Sequence, residues 1–191
     1  MLRVLVIDEA EGRAGEICAG LAVAGYQVAA LLPSVLDLAA KVEQIKPDII
    51  LIQTDSPSRD TLEHLAVANK DFPRPVVMFA SKGDGPVVRK AFKAGVSAYI
   101  VDGLTPQRLK PVIDVAIARF EEYQELRRER DEATQKLADR KLIDRAKGVL
   151  MKARDYDEEA AYAALRKLAM DRGEPIGKVA RQVIEMADLL L

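Results

Sequence analysis

Two groups of residues in this chain have the types and spacing to do chemistry. The first is a carboxylate pair, Asp8-Glu9, directly after the apolar run Val4–Ile7. Neighbouring carboxylates place four acceptor oxygens and two negative charges at the end of an apolar run. The second is a set of cations. Arg140, Lys141, Arg145, Lys147, Lys152 and Arg154 stand against one acid, Asp144, and Arg166, Lys167, Lys178 and Arg181 follow. Clustered Lys and Arg neutralise phosphates and release counterions. Unstacked RNA bases can also be met by guanidinium planes or aromatic rings, and Tyr156 and Tyr162 are the rings available there. Nucleophilic catalysis has no support, because His64 is the single histidine and no nucleophile sits beside a base. On its predicted helix His64 is expected to be a surface residue.

The positioning elements follow from composition and period. A chain of 191 residues suits two domains, and a hydrophobic fraction of 49% supports a packed core. The net charge of −1 means that any nucleic-acid surface must be local. Cys18 is the single cysteine, so an internal disulfide is excluded and a reducing cytosol is expected. No apolar run approaches the ~18–20 residues of a membrane span, and the start reads as a strand and not as a signal peptide. A soluble, cytoplasmic protein without membrane partners is expected.

Short β-branched runs at Val4–Ile7, Val28–Leu32, Ile49–Ile52, Val76–Phe79 and Tyr99–Val101 suit strands buried on both faces of a parallel sheet. Helical spacing fills the intervals at Ala14–Ala24, Val35–Ile45, Asp60–Asn69, Val87–Ala94 and Pro106–Ala118. Five such repeats predict a doubly wound α/β fold with a five-stranded parallel sheet. Working residues are then expected at the carboxyl edge of the strands.

The residues at that edge make positions 1–118 resemble the receiver domain of two-component response regulators, a CheY-like or flavodoxin-like fold. The resemblance implies an acidic pair for Mg²⁺, an Asp acceptor ending strand three, a Ser or Thr ending strand four and a Lys ending strand five. Phosphoryl transfer requires such charge on the moving oxygens. Here the acidic pair is Asp8 and Glu9, either a solvated loop pair or a weak or vestigial Mg²⁺ site, and no cofactor is required. The acceptor position is Gln53, whose amide cannot form an acyl phosphate. The hydroxyl position is Ala80, followed by Ser81, and the lysine position is Asp102, which would repel a phosphoryl group. Phosphorylation control is therefore not expected. The rival is a displaced acceptor at Asp55.

Three blocks near the end carry a second resemblance: Arg145-Ala146-Lys147-Gly148-Val149-Leu150-Met151-Lys152, Ala164-Leu165-Arg166-Lys167-Leu168-Ala169-Met170 and Val179-Ala180-Arg181-Gln182-Val183. In this order they resemble the ANTAR domain of the AmiR and NasR class of antiterminators. The runs Ser56–Leu65 and Gly95–Leu104 look like the NasT group, although that group commonly carries Asp at the position of Gln53. The resemblance implies binding to hairpins in a leader mRNA of nitrate or nitrite assimilation genes. It also implies control by a nitrate-sensing, NasS-like protein, and a homodimer in the active form. A DNA-binding regulator is the further alternative, since a helix pair can enter a major groove.

The expected division is a degenerate receiver at 1–118, a helical linker at 119–138 and an RNA-binding domain at 139–191. Tyr123, Leu126, Ala133 and Leu137 recur at spacings of 3, 7 and 4, a heptad-compatible seam for a coiled coil. The tail reads as a three-helix bundle. Its stripes are Ile143, Ala146, Leu150 and Ala153; then Ala161, Ala164, Leu165 and Leu168; then Ile176, Val179, Ala180, Val183 and Ala187. Asp157 is expected to cap the second helix, Gly173 to stop it and Pro175 to open the third. Gly148 costs helix stability, up to ~1 kcal/mol against Ala, which suggests a close approach by another helix or by RNA. Arg140, Lys141, Arg145, Lys147, Lys152, Arg166, Lys167 and Arg181 are the expected RNA contacts.

Overall fold

The computed structural model describes residues 1–10, 14–101 and 106–190. The chain divides into two compact units, Met1–Gln124 and Glu125–Leu191.

The first unit is the expected α/β fold. Strands β1 (Arg3–Asp8), β2 (Gln27–Leu32), β3 (Ile49–Thr54), β4 (Val76–Ala80) and β5 (Ala98–Val101) form one sheet of order β2-β1-β3-β4-β5. Every pairing in it is parallel. Helices α1 (Ala14–Val23), α2 (Leu38–Ile45), α3 (Arg59–Asp71) and α4 (Gly85–Lys93) connect the strands, and α5 runs from Pro106 to Arg154.

Strand periodicity divides the core into two layers. Leu5, Ile7, Ile50, Ile52 and Met78 pack on one face with Leu38 and Val42 of α2, Leu65 of α3 and Ala91 of α4. Val4, Val6, Ile49, Leu51 and Phe79 pack on the other with Ile17 and Leu21 of α1 and Leu109, Ile113 and Ala116 of α5. Both layers are needed because the inner strands are apolar at successive positions. Burying one such Leu or Ile contributes about 1.5–3 kcal/mol. Helix α2 starts three residues later than its apolar pattern suggests, because Asp37 takes a left-handed conformation (φ 54) just before it.

The register places the edge residues side by side. Asp8 pairs with Gln53, Gln53 with Phe79, and Thr54 with Ala80. The acidic pair and the amide thus share one edge, as the parallel topology requires.

The second unit contains the last part of α5 with α6 (Glu158–Arg172) and α7 (Ile176–Leu190). Asp157 caps α6, accepting from the Ala160 N–H at 2.7 Å. Gly173 ends α6 at φ 63, where a residue with a Cβ is disfavoured. Pro175 lies just before α7, and its carbonyl accepts from the N–H groups of Lys178 and Val179. The core is Ala146, Leu165, Ala180 and Ile184, flanked by Leu142, Ile143, Leu150, Ile176 and Val183.

Two expectations about this core need correction. Ala153 is exposed, since it falls in the last turn of α5, where residues 151–160 all face outward. Ile184 is buried and was not in the expected stripe. Val183 and Ile184 lie on adjacent helical tracks, and only packing against Ala146 and Leu165 decides between them. The close approach belongs to Gly177 and not to Gly148. A Cβ at Gly177 would lie 2.5 Å from Asp139 Oδ1, whereas one at Gly148 meets nothing within 4 Å.

Candidate functional site

At the sheet edge Asp8, Glu9 and Asp55 each have a local partner. Asp8 is buried and accepts from the backbone N–H groups of Ala10 (3.3 Å) and Ala14 (2.8 Å), the first residue of α1. Glu9 accepts from the Thr61 hydroxyl at 3.2 Å, while Ser58 caps α3 by accepting from the Thr61 N–H. Asp55 accepts from the Ser81 hydroxyl at 2.9 Å. Gln53 is 2% exposed, and its Oε1 is buried without a hydrogen-bond partner. Asp102 lies outside the described residues.

This donor set suits a Mg²⁺ ion poorly. The ion demands near-octahedral oxygen geometry and dehydrates reluctantly, yet Asp8 and Glu9 already accept from N–H and O–H groups on separate elements. Among the described residues no three His, Cys, Asp or Glu side chains gather into a metal-holding group. His64 on α3 is partly buried, and no hydrogen bond or ion pair of its side chain occurs among the described residues.

The helical unit sorts its cations into two classes. Lys147 is held between two acids: its ammonium lies 2.8 Å from Asp144 and 2.7 Å from Glu158, and its side chain is 15% exposed. Hydrogen bonds to Asp144 and then Glu158 raise its pKa above the usual lysine value. The reciprocal bond from Lys147 holds the Asp144 carboxyl below the ordinary range. Arg145 pairs with Asp188 of α7 at 3.1 Å, although both side chains stay mostly exposed. Lys178 pairs with Glu174 at 2.6 Å.

Arg140, Lys141, Lys152, Arg154, Arg166, Lys167 and Arg181 are exposed and form no ion pair with the described residues. Spacing places Lys141, Arg145 and Lys152 on one face of α5. That face borders a groove of about 700 Å³ lined by Arg145, Gly148, Val149, Lys152, Ala187 and Asp188. On α6 the exposed residues Tyr162, Arg166 and Met170 recur every four positions and form one stripe. A ring, a guanidinium and a thioether in line can carry both phosphate and base contacts.

Sequence reasoning did not foresee the internal anchoring of Lys147. Its acids lie at i−3 and across a turn, and the first was visible as a helical pair. Nor did it foresee a second opening of about 220 Å³ lined by Leu150, Arg154, Tyr156, Ala164, Leu168 and Val183. An opening depends on how helices cross, which leaves no periodic trace.

The sheet order and the attached helices define the class: a receiver-like α/β unit followed by a helical unit. A CheY-like receiver domain protein from Methanospirillum hungatei superposes with a TM-score of 0.56 at 22% identity, covering 64% of this chain and 98% of that one; this likeness is one of fold. More particularly, residues 131–184 match the ANTAR domain, so the helical unit carries an ANTAR domain. The transcriptional regulatory protein PdtaR of Mycobacterium tuberculosis is 28% identical over 184 residues, which span 96% of this chain and 89% of that protein. A nitrate regulatory protein of Klebsiella oxytoca is 43% identical over 53 residues, 28% of this chain and 13% of that protein. No helix among the described residues is long and apolar enough to cross a membrane.

Proposed function

We propose that the protein is a cytoplasmic, RNA-binding transcription antiterminator and not an enzyme. Its helical unit binds hairpins in a leader mRNA, competes with terminator formation and lets transcription continue. The observation that carries this reading is the set of exposed, unpaired cations on a unit that matches the ANTAR domain. Likeness to a nitrate regulatory protein supports nitrate or nitrite assimilation genes as targets.

Control is by a sensor protein, nitrate-sensing and NasS-like, and needs no cofactor. Gln53 offers no carboxylate, Asp55 is engaged by Ser81, and a Mg²⁺ ion would displace the Thr61 hydroxyl from Glu9. The active form is a homodimer through α5. Tyr123, Leu126 and Leu137 are exposed at 60%, 58% and 57%, and an apolar heptad seam left in water favours a second helix. Two linked RNA-binding units then engage two hairpins, the second at high effective concentration.

The test is a gel shift with a two-hairpin leader RNA at several salt concentrations, with and without the sensor protein. Binding that duplex DNA cannot compete away, and that the sensor abolishes, is expected. Equal competition by duplex DNA would establish a DNA-binding regulator instead. A labile phosphoryl adduct on Asp55 that raises RNA affinity would establish phosphorylation control.

A further inference from the structure

We infer that the opening between the end of α5 and helices α6 and α7 is a pocket for one unstacked RNA base. The inference rests on the RNA-binding reading and assigns it a recognition site.

Size limits the occupant first. About 220 Å³ is several times the ~30 Å³ share of a water molecule. It is below the ~300–1,000 Å³ of pockets that enclose whole cofactors. A single planar ring system falls between these limits.

The lining limits its chemistry. Leu150, Ala164, Leu168 and Val183 supply apolar walls, and Ala164 keeps the wall on α6 open by being small. Arg154 and Tyr156 supply the polar part, Tyr156 being 37% exposed. Between them Asp155 adopts a left-handed conformation with φ 51, which an L-residue adopts at a cost of about 1–2 kcal/mol. This turn lets a guanidinium and a phenol ring line the same opening. A guanidinium plane and an aromatic ring are the two protein surfaces on which splayed-out bases stack.

Charge around the opening fits an RNA strand. Arg154 forms no ion pair with the described residues, and Lys167 is exposed on α6 next to the lining residue Leu168. Of the acids at the turn, Glu158 is engaged by Lys147 and Asp157 by the Ala160 N–H, while Asp155 and Glu159 are exposed. A strand held by these cations can place a hairpin-loop base into the opening. The paired stem of the hairpin cannot enter it, so the pocket selects loops over duplex.

The test uses the full chain and a two-hairpin leader RNA carrying 2-aminopurine at one loop position at a time. Fluorescence is expected to change on binding at one loop position. Ala164→Leu, which fills the opening, should abolish that change and weaken binding about 5- to 150-fold, the range for loss of one stacked base. Tyr156→Leu, at a half-exposed site, should reduce both signals and serves if Ala164→Leu fails to fold by circular dichroism. The inference is overturned if no loop position responds in the wild-type complex. It is overturned equally if a folded pocket variant keeps wild-type affinity and response. In both cases the RNA-binding reading stands; absence of any hairpin binding by wild-type protein removes the two together.

Discussion

Salt dependence of RNA binding separates the two classes of cation in the helical unit. Of the eight basic residues expected at the interface, Lys147 is locked between Asp144 and Glu158, and Arg145 is paired with Asp188. Six remain exposed and unpaired: Arg140, Lys141, Lys152, Arg166, Lys167 and Arg181. Each phosphate neutralised releases condensed counterions and adds about −0.7 to −0.9 to the slope of log affinity against log salt. Six contacts per protomer give a slope of about −4 to −5, hence a loss of roughly 300- to 2,000-fold between 50 and 200 mM salt. Replacing Lys152 or Arg166 with Ala should make the slope shallower by about 0.7–0.9 per protomer.

Lys147→Met should leave the slope unchanged, because a cation already paired with two carboxylates releases no counterion. Fluorescence anisotropy with a labelled two-hairpin RNA, over a salt series, measures the slope for each variant. Folding is checked by circular dichroism at the same temperature. A slope that flattens as much in Lys147→Met as in Lys152→Ala would refute the division into locked and free cations. A slope near zero in the wild type would refute phosphate contact by this face altogether.

Other outcomes follow from the same geometry. Gly177→Ala should destabilise the helical unit by a net ~1–2 kcal/mol, an overpacking cost partly offset by helix propensity. Adding Asp139→Ala should restore the thermal midpoint, since Asp139 is what the new Cβ would meet. Gln53→Met removes a buried, unpaired oxygen and should leave stability unchanged or raise it by about 1 kcal/mol; a loss above that size in chemical denaturation would show that the amide is satisfied. Leu126→Lys with Leu137→Lys should weaken self-association in sedimentation and lower affinity for a two-hairpin RNA more than for a single hairpin. Hydrogen bonds from Lys147 and Lys178 hold the Asp144 and Glu174 carboxyls below their ordinary range. Their stabilisation is therefore present above that range and lost as pH falls through the depressed values. Thermal unfolding from neutral to acid pH should show that loss, and Lys147→Met should remove the Asp144 part of it.

How much of this was legible in the sequence depends on which forces set each feature. The sheet was legible because β-branched runs at Val4–Ile7, Ile49–Ile52 and Val76–Phe79 bury both faces and admit few topologies. The caps at Asp157 and Gly173 were legible because a side-chain acceptor and a left-handed glycine satisfy backbone groups locally. The edge identities at Asp8, Glu9 and Gln53 followed from strand ends alone. What was not legible depends on contacts between helices. Gly148 and Gly177 look alike in sequence, and only the path of α7 past Asp139 decides which one must lack a Cβ. Lys147 and Lys152 look alike as cations, and only the α5–α6 turn brings Glu158 to one of them. The pocket behind Tyr156 depends on both helix crossing and the turn at Asp155.

The sheet edge constrains how such a regulator can be switched. A phosphoryl switch works by adding about two negative charges that recruit charge-assisted hydrogen bonds. Here the acceptor position carries an amide, the acids Asp8, Glu9 and Asp55 each have a donor already, and those donors are two N–H groups and two hydroxyls, with no cation among them. A phosphoryl group on Asp55 would lose the Ser81 bond and face like charge. Moving a two-state protein from 1:99 to 99:1 requires about 5.5 kcal/mol of differential binding. Among the described residues, the neutral hydrogen bonds that close Asp8, Glu9 and Asp55 do not supply it on modification. A protein partner does, since an interface of ordinary size, about 1,600 Å² in total, contributes well above that amount when it fits one state and not the other. The amide at Gln53 and the closed carboxylates are the features on which the proposed regulation by a partner rests.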